Sequence, residues 1–191
     1  MPKQKITREM VVEAAFELAR KKGLERVIVK DIAENLGCSV QPIYSYCKNM
    51  DGLRKDVMEK ADGFLKEYIC EHADQNDFFR STGYAYIQLA KEEPNVFKMF
   101  LMNERGQIHS FDELYESETN PQVAQFIANN LKISISGART LHLNMLIYNV
   151  GMGAILANTT PGIGQEEVHK QMEMAYQAFL DQVVKDEKQV L

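Results

Sequence analysis

The sequence has no tryptophan, five prolines and three cysteines in 191 residues. Cys38, Cys47 and Cys70 show no C-x-x-C spacing, so neither a disulfide framework nor a zinc site is indicated. His72, His109, His142 and His169 stand far apart, with no H-E-x-x-H or i, i+4 pair, which leaves metal binding and histidine catalysis without a motif. No nucleophile–base pattern is present either. The chain is therefore read as a non-enzyme with no catalytic residues, no metal and no cofactor. Low-complexity tracts are missing. The apolar runs read as too short or too interrupted to cross a bilayer, which speaks against a membrane partner. The opening MPKQKITREM is basic but lacks the apolar core of a signal peptide, so a cytoplasmic location is expected.

What is present is ordinary for a globular chain: 45% hydrophobic and 26% charged residues. The net charge of −5 argues, taken whole, against a nucleic-acid partner. Its distribution argues the other way. Residues 1–55 hold eleven Lys and Arg against seven Asp and Glu, and residues 56–191 hold eleven against twenty. A basic head on an acidic body fits a DNA-binding module joined to a regulatory one. The expected division is a head at residues 1–50 and a body at 51–191.

The most informative stretch is Val29 to Leu53. Ile32, Ala33 and Leu36 share one helical face. Gly37 follows as a helix-stopping glycine, Ser39 is placed to cap a new helix, and Pro42 falls in that helix's tolerant first turn. Ile43 and Cys47 point inward at i, i+4, which leaves Gln41, Tyr44, Ser45 and Lys48 outside. A short helix, a glycine turn and a second helix with a polar, aromatic outer face is the pattern of a helix-turn-helix, whose second helix enters the major groove. In that reading Gln41 reads an adenine edge, Pro42 offers an apolar contact to a thymine methyl, and Tyr44, Tyr46 and Lys48 hold phosphates, joined by Lys30 and Ser39, with Ser45 also among the DNA-binding candidates.

Residues 7 to 53 resemble the DNA-binding head of the TetR family of transcriptional regulators. The resemblance rests on Thr7, Ala14, Ala15, Leu18, Gly23, Asp31-Ile32-Ala33, Leu36-Gly37, Ser39, Ile43-Tyr44, Tyr46, Lys48 and Leu53, with the Y-x-Y pair and the following KNMDGL as its most specific part. The sequence departs from the family pattern at four places. Ile28 stands where Thr or Ser is usual, Gln41 where Gly is frequent, Cys47 where an aromatic or other apolar residue is frequent, and Met50 where Lys is frequent. The resemblance implies an all-α fold, a three-helix head on a helical bundle, and a regulator, usually a repressor, that binds a near-palindromic double-stranded operator as a homodimer.

The remainder reads as helix throughout. A long helix from about Asp51 to His72 buries Leu53, Val57, Ala61, Phe64, Leu65 and Tyr68. Glu92-Glu93-Pro94 ends the next and opens a short apolar one. Residues 104–120 are the least regular, a short helix or a mobile loop. A helix from about Arg139 to Asn158, capped by Ser136 or Thr140, is apolar nearly all round, and its Gly151 and Gly153 leave room for another backbone. The last helix carries Val168, Met172, Ala175, Tyr176, Phe179 and Val183 at 3.6 spacing. Two such helices at the end of the chain suit a homodimer face, as the resemblance also implies; closing the chain's own core is the other reading.

Aromatics, flexible methionines and a few polar groups in the body suggest a pocket for a small-molecule effector. The candidates are Tyr86, Phe97, Phe100, Met102, Arg105, His142, Met145, Tyr148 and Asn149, residue types that also build ordinary core. Cys38 and Cys47 lie where thiol oxidation would disturb the head, or are simply small buried hydrophobes. Besides a ligand-responsive regulator, two alternatives stay open: an all-helical enzyme using the body pocket, and a dimeric helical adaptor whose head has weakened DNA affinity.

Overall fold

The computed structural model describes residues 6–47, 49–159 and 162–190. Among them the chain forms ten α-helices and no strand. The first, α1 (Arg8–Lys22), starts where the Thr7 hydroxyl accepts the Met10 N–H at 3.3 Å and stops at Gly23, whose φ of +92° suits glycine. Its buried stripe is Val11, Ala14, Ala15, Leu18 and Ala19, with Phe16 added. Then come α2 (Val29–Asn35), α3 (Val40–Tyr46) and α4 (Met50–His72), the last capped by Asn49, which accepts the Gly52 N–H at 2.8 Å.

The body comprises α5 (Phe78–Glu92), α6 (Pro94–Leu101), α7 (Phe111–Glu118), α8 (Pro121–Leu131), α9 (Ile135–Asn158) and α10 (Gln165–Val190). Pro94 sits in the first turn of α6 directly behind the end of α5, as the proline rule requires. The irregular stretch holds α7, nucleated by Ser110, whose hydroxyl accepts the Glu113 N–H at 3.1 Å. The start of α9 differs from expectation. The helix begins at Ile135, a turn ahead of Arg139, and is capped by Ser134, which accepts the Gly137 N–H at 2.9 Å. Thr140 instead lies inside the helix and donates back to the Ser136 carbonyl at 3.1 Å.

A second correction concerns membrane propensity. By length and composition α9 is long and apolar enough to cross a bilayer. In this fold it is the central helix, packed against α5, α6, α8 and α10. That packing accounts for part of its apolar surface, a third of the apolar window being buried inside the chain. The α10 stripe also turns inward: Val168, Met172, Tyr176 and Val183 are buried within the chain's own core. What stays outside is a different set, Ile135, Ile147 and Ile155 on α9 and Met174 on α10, with Gly151 between the last two isoleucines.

One cluster unites the head. Val11, Ala15, Ile32, Ile43, Leu53 and Val57 pack together with Val96 and Met99 from α6. Between those two residues Phe97 turns the other way, into a body cluster with Tyr86, Leu89 and Ala157. The Phe97 ring is fully buried and lies against Gly153, where any Cβ would overlap it. Gly153 thus admits a neighbouring ring rather than a neighbouring backbone. Gly153→Ala is expected to lower stability by about 1–3 kcal/mol through overpacking, read as a lower urea midpoint.

Candidate nucleic-acid interface and body cavity

The turn between α2 and α3 is built by backbone chemistry. Gly37 adopts φ +63°. The Cys38 N–H donates to the Ala33 carbonyl at 3.0 Å and the Gly37 N–H to the Glu34 carbonyl at 3.1 Å, the paired bonds of a Schellman ending. Helix α3 then buries Ile43 and Cys47 against α1 and α2. Ser39 occupies the N-cap position of α3 with extended backbone, but its side chain makes no capping hydrogen bond. The expected cap is therefore not formed, and the Ser39 hydroxyl is exposed.

The outer face of α3 carries Gln41, Tyr44, Ser45 and Tyr46, all exposed, and Pro42, half-buried. Tyr44 is 57% exposed, an unusual position for so large a ring with no partner to pack on. Ser45 donates its hydroxyl proton to the Pro42 carbonyl at 2.7 Å, which leaves its oxygen to act as an acceptor. Lys30 projects from the first turn of α2, exposed and without an ion pair among the described residues. Lys48 lies outside the described residues. Val40, 42% exposed, shares the face with Tyr44 at i, i+4. Sequence reasoning passes over it, although its spacing from Tyr44 marks it.

The frame behind this face is fixed by charge. Arg8 grips both Asp56 oxygens at 2.7 Å, tying the start of α1 to α4. Lys60 reaches Glu13 at 2.7 Å and Lys22 reaches Asp31 at 3.3 Å. Burial pushes the Cys47 thiol pKa up, away from the reactive thiolate.

In the body, α4, α5, α9 and α10 line a partly open cavity of about 140 Å³. Of the effector-pocket candidates read from the sequence it gathers Tyr86, His142, Met145 and Asn149, and it adds Phe79, Arg80, Gly83, Tyr84, Met172, Glu173 and Tyr176. The other five candidates stand elsewhere. Phe97 is core, edge-on to Tyr86 at 5.0 Å. Phe100 packs partly buried beside it, and Arg105 lies over the Phe100 ring while pairing with Glu118 at 2.5 Å. Met102 is exposed, and the Tyr148 hydroxyl donates to the Gln171 carbonyl at 3.4 Å. Periodicity puts most of these side chains on the inner sides of their helices but does not say which gap each will face.

The cavity wall is electrically balanced. Glu173 accepts from Arg80 Nη2 at 2.6 Å and from the Tyr84 hydroxyl. His142 Nδ1 lies 3.0 Å from the Tyr115 hydroxyl, and burial pushes its pKa down from 6.5 to about 4, so the ring is neutral at pH 7. Arg80 Nε, the Tyr86 hydroxyl and Asn149 Oδ1 are buried with no hydrogen-bond partner among the described residues. Among the described residues no cluster of His, Cys, Asp and Glu fit to hold a metal is found.

A glycine-turned helix pair with an outward aromatic and polar face, set on a helical body, defines a helix-turn-helix protein. The family model for bacterial regulatory proteins of the tetR family matches residues 11–57. No curated protein matches the sequence. Two solved structures share the fold. One is described as a transcription regulator from Streptomyces coelicor, 17% identical, with 95% of this chain and 96% of that one covered and a TM-score of 0.51. The other is a TetR-family transcriptional regulator from Haemophilus influenzae, 16% identical, with 90% and 94% covered and a TM-score of 0.55. Residues 11–57 thus match the head of the tetR family, and the chain as a whole shares the fold of these two transcription regulators.

Ile28 holds the N-cap of α2 with φ −124° and ψ 152°, the geometry a capping residue adopts, yet offers no side-chain acceptor. Ile28→Thr is expected to raise stability by about 1 kcal/mol, seen as a higher urea midpoint. The depressed pKa of His142 sets a pH dependence. Between about 4 and 6.5 the unfolded chain binds the proton that the folded ring refuses. Stability contributed by the neutral ring is therefore intact above that window and lost as pH falls through it. Urea midpoints should fall across this window, and His142→Gln should flatten that part of the profile.

Proposed function

We propose that the chain represses transcription as a homodimer that places α3 of each copy in successive major grooves of a near-palindromic operator, and that a small molecule in the body cavity modulates it. The observation that carries this is the outer face of α3, where Tyr44, Gln41 and Val40 are solvent-exposed on a rigidly anchored short helix. The functional division is a head at residues 1–50 and a body at 51–191, working in the cytoplasm where the DNA is. Gln41 and Val40 face the bases; Tyr44, Tyr46, Ser39, Lys30 and Lys48 hold the phosphates. Copies meet through the uncovered apolar strip of Ile147, Gly151 and Ile155 on α9, with Met174 on α10, which makes a four-helix arrangement about a two-fold axis.

Regulation runs through α6. A ligand that presses on Tyr86 presses on Phe97, which shares its short helix with Val96 and Met99 of the head core. Ligand acts only by its difference in affinity between the operator-matched and mismatched dimers. The second reading, a dimeric adaptor with a weakened head, draws on the missing cap at Ile28.

The test is selection of bound sequences from random duplex DNA at moderate salt. The wild type is expected to enrich a palindrome. Gln41→Ala should cost about 1–3 kcal/mol and relax one position of each half-site, whereas Tyr44→Ala should weaken binding across sequences. Ile147→Glu with Ile155→Glu should give monomers by light scattering and no palindrome. A folded wild-type dimer that enriches nothing, even at low salt, would leave the adaptor.

A further inference from the structure

The regulatory reading leaves the effector open, and the cavity wall narrows it by size, charge and hydrogen bonding. At about 140 Å³ the cavity is close to the ~150 Å³ at which an engineered apolar cavity takes up benzene. Phe79, Tyr176 and the His142 edge give it aromatic sides, and Met145 and Met172 give it pliable ones.

Charge is the second constraint. With His142 neutral, Arg80 is the one cationic side chain in the wall, and Glu173 already neutralises it through a 2.6 Å contact. An ionic ligand would give up its hydration without meeting an unpaired counter-charge.

The third constraint comes from Asn149. It is the one buried polar residue in the core of the described chain, 9% exposed, and its Oδ1 has no partner there. Tyr86, equally buried, has an unpartnered hydroxyl. Gly83 faces the Asn149 amide from α5, and a Cβ there would stand 3.0 Å from Asn149 Nδ2. Glycine at that position keeps the amide clear. A buried amide oxygen is costly unless a donor reaches it.

Resting on the regulatory reading above, we propose that the cavity selects an uncharged ligand of single-ring size bearing one hydrogen-bond donor, seated on the Asn149 carbonyl between the aromatic walls. Asn149 is the specificity-determining residue. A site built to pair a donor rejects the analogue without one far more strongly than it rejects a change in apolar bulk.

The probes are phenol, toluene, benzoate and benzylammonium, four molecules of similar size, titrated into the 191-residue chain at pH 7 and followed by calorimetry and ligand-observed NMR. Phenol is expected to bind at least about tenfold tighter than toluene, a difference of ~1.4 kcal/mol. Benzoate and benzylammonium should bind more weakly still. Asn149→Leu should bring phenol and toluene to within about twofold of each other. If that variant does not fold, Gly83→Ala, which crowds the amide, should narrow the phenol preference. Equal binding of phenol and toluene by the wild type, preference for benzoate through Arg80, or no binding of any probe would each overturn the proposal. DNA selection on the same preparation without probes separates the two failures: an enriched palindrome with no phenol preference removes the ligand class and leaves the regulator.

Discussion

Eight residues of α6 have to satisfy two cores at once. Val96 and Met99 fill the head, Phe97 fills the body, and the helix cannot shift for one without disturbing the other. Its entry is anchored as well. Arg20, near the end of α1, donates to both Glu93 oxygens at 2.8 and 2.5 Å, and Asn95 donates to the Arg20 carbonyl at 2.8 Å. The Arg20 guanidinium also covers the Phe64 ring of α4 at 4.8 Å. A half-buried bidentate pair of this kind fixes geometry more than it adds stability. Its consequence is mechanical: the end of α1, the middle of α4 and the start of α6 move as one piece.

That coupling gives the short α3 its value. Seven residues are too few to hold a helix in water alone. Helix α3 persists because Ile43 is sealed under α1 and because the Schellman bonds at Gly37 fix its angle to α2. Neither Ser39 nor Ile28 supplies a side-chain cap, so both short head helices lean on packing more than helices with good caps would. A head stabilised this way responds to whatever changes its core, and two of the residues in that core belong to α6.

Local chemistry is legible in the sequence, and long-range choice much less so. Thr7, Gly23, Gly37 and Pro94 each act within one turn of their own position, and each does what its stereochemistry requires. The cap of α9 is ambiguous because Ser134, Ser136 and Thr140 all can cap, and only the packing of Gly137 and Ala138 against α10 selects the earliest. The α10 stripe is visible as a stripe, but a 3.6 period identifies a buried face without naming what buries it. It turns toward α9, and the uncovered apolar surface falls to Ile147 and Ile155, one i, i+4, i+8 line of α9 through Gly151, with Met174 of α10; because α9 is apolar nearly all round, its sequence does not single that line out. The cavity is the extreme case. Tyr86, His142, Met145 and Asn149 meet there, while Phe97, little more than a turn from an exposed Met102, is solid core. Whether a gap opens between helices depends on how several side chains fail to fill it, and no single helix encodes that.

Cavity size also limits how the proposed regulation could work. A ligand of about seven heavy atoms has at most ~1.5 kcal/mol per atom of affinity, so ~10 kcal/mol in all under the most favourable conditions. Turning a dimer population from 1:99 to 99:1 needs ~5.5 kcal/mol of differential affinity. With one cavity in each copy of the proposed dimer, two ligands share that requirement, and about a quarter of each ligand's best possible binding energy would have to appear in one state alone. The proposed regulation therefore works best where the operator-matched and mismatched dimers lie close in free energy before ligand arrives. Marginal head helices without caps, held by a core shared with α6, are a structural means of keeping them close. A strong cap at Ile28 would in that case do more than stabilise a helix: it would bias the balance that the ligand has to shift.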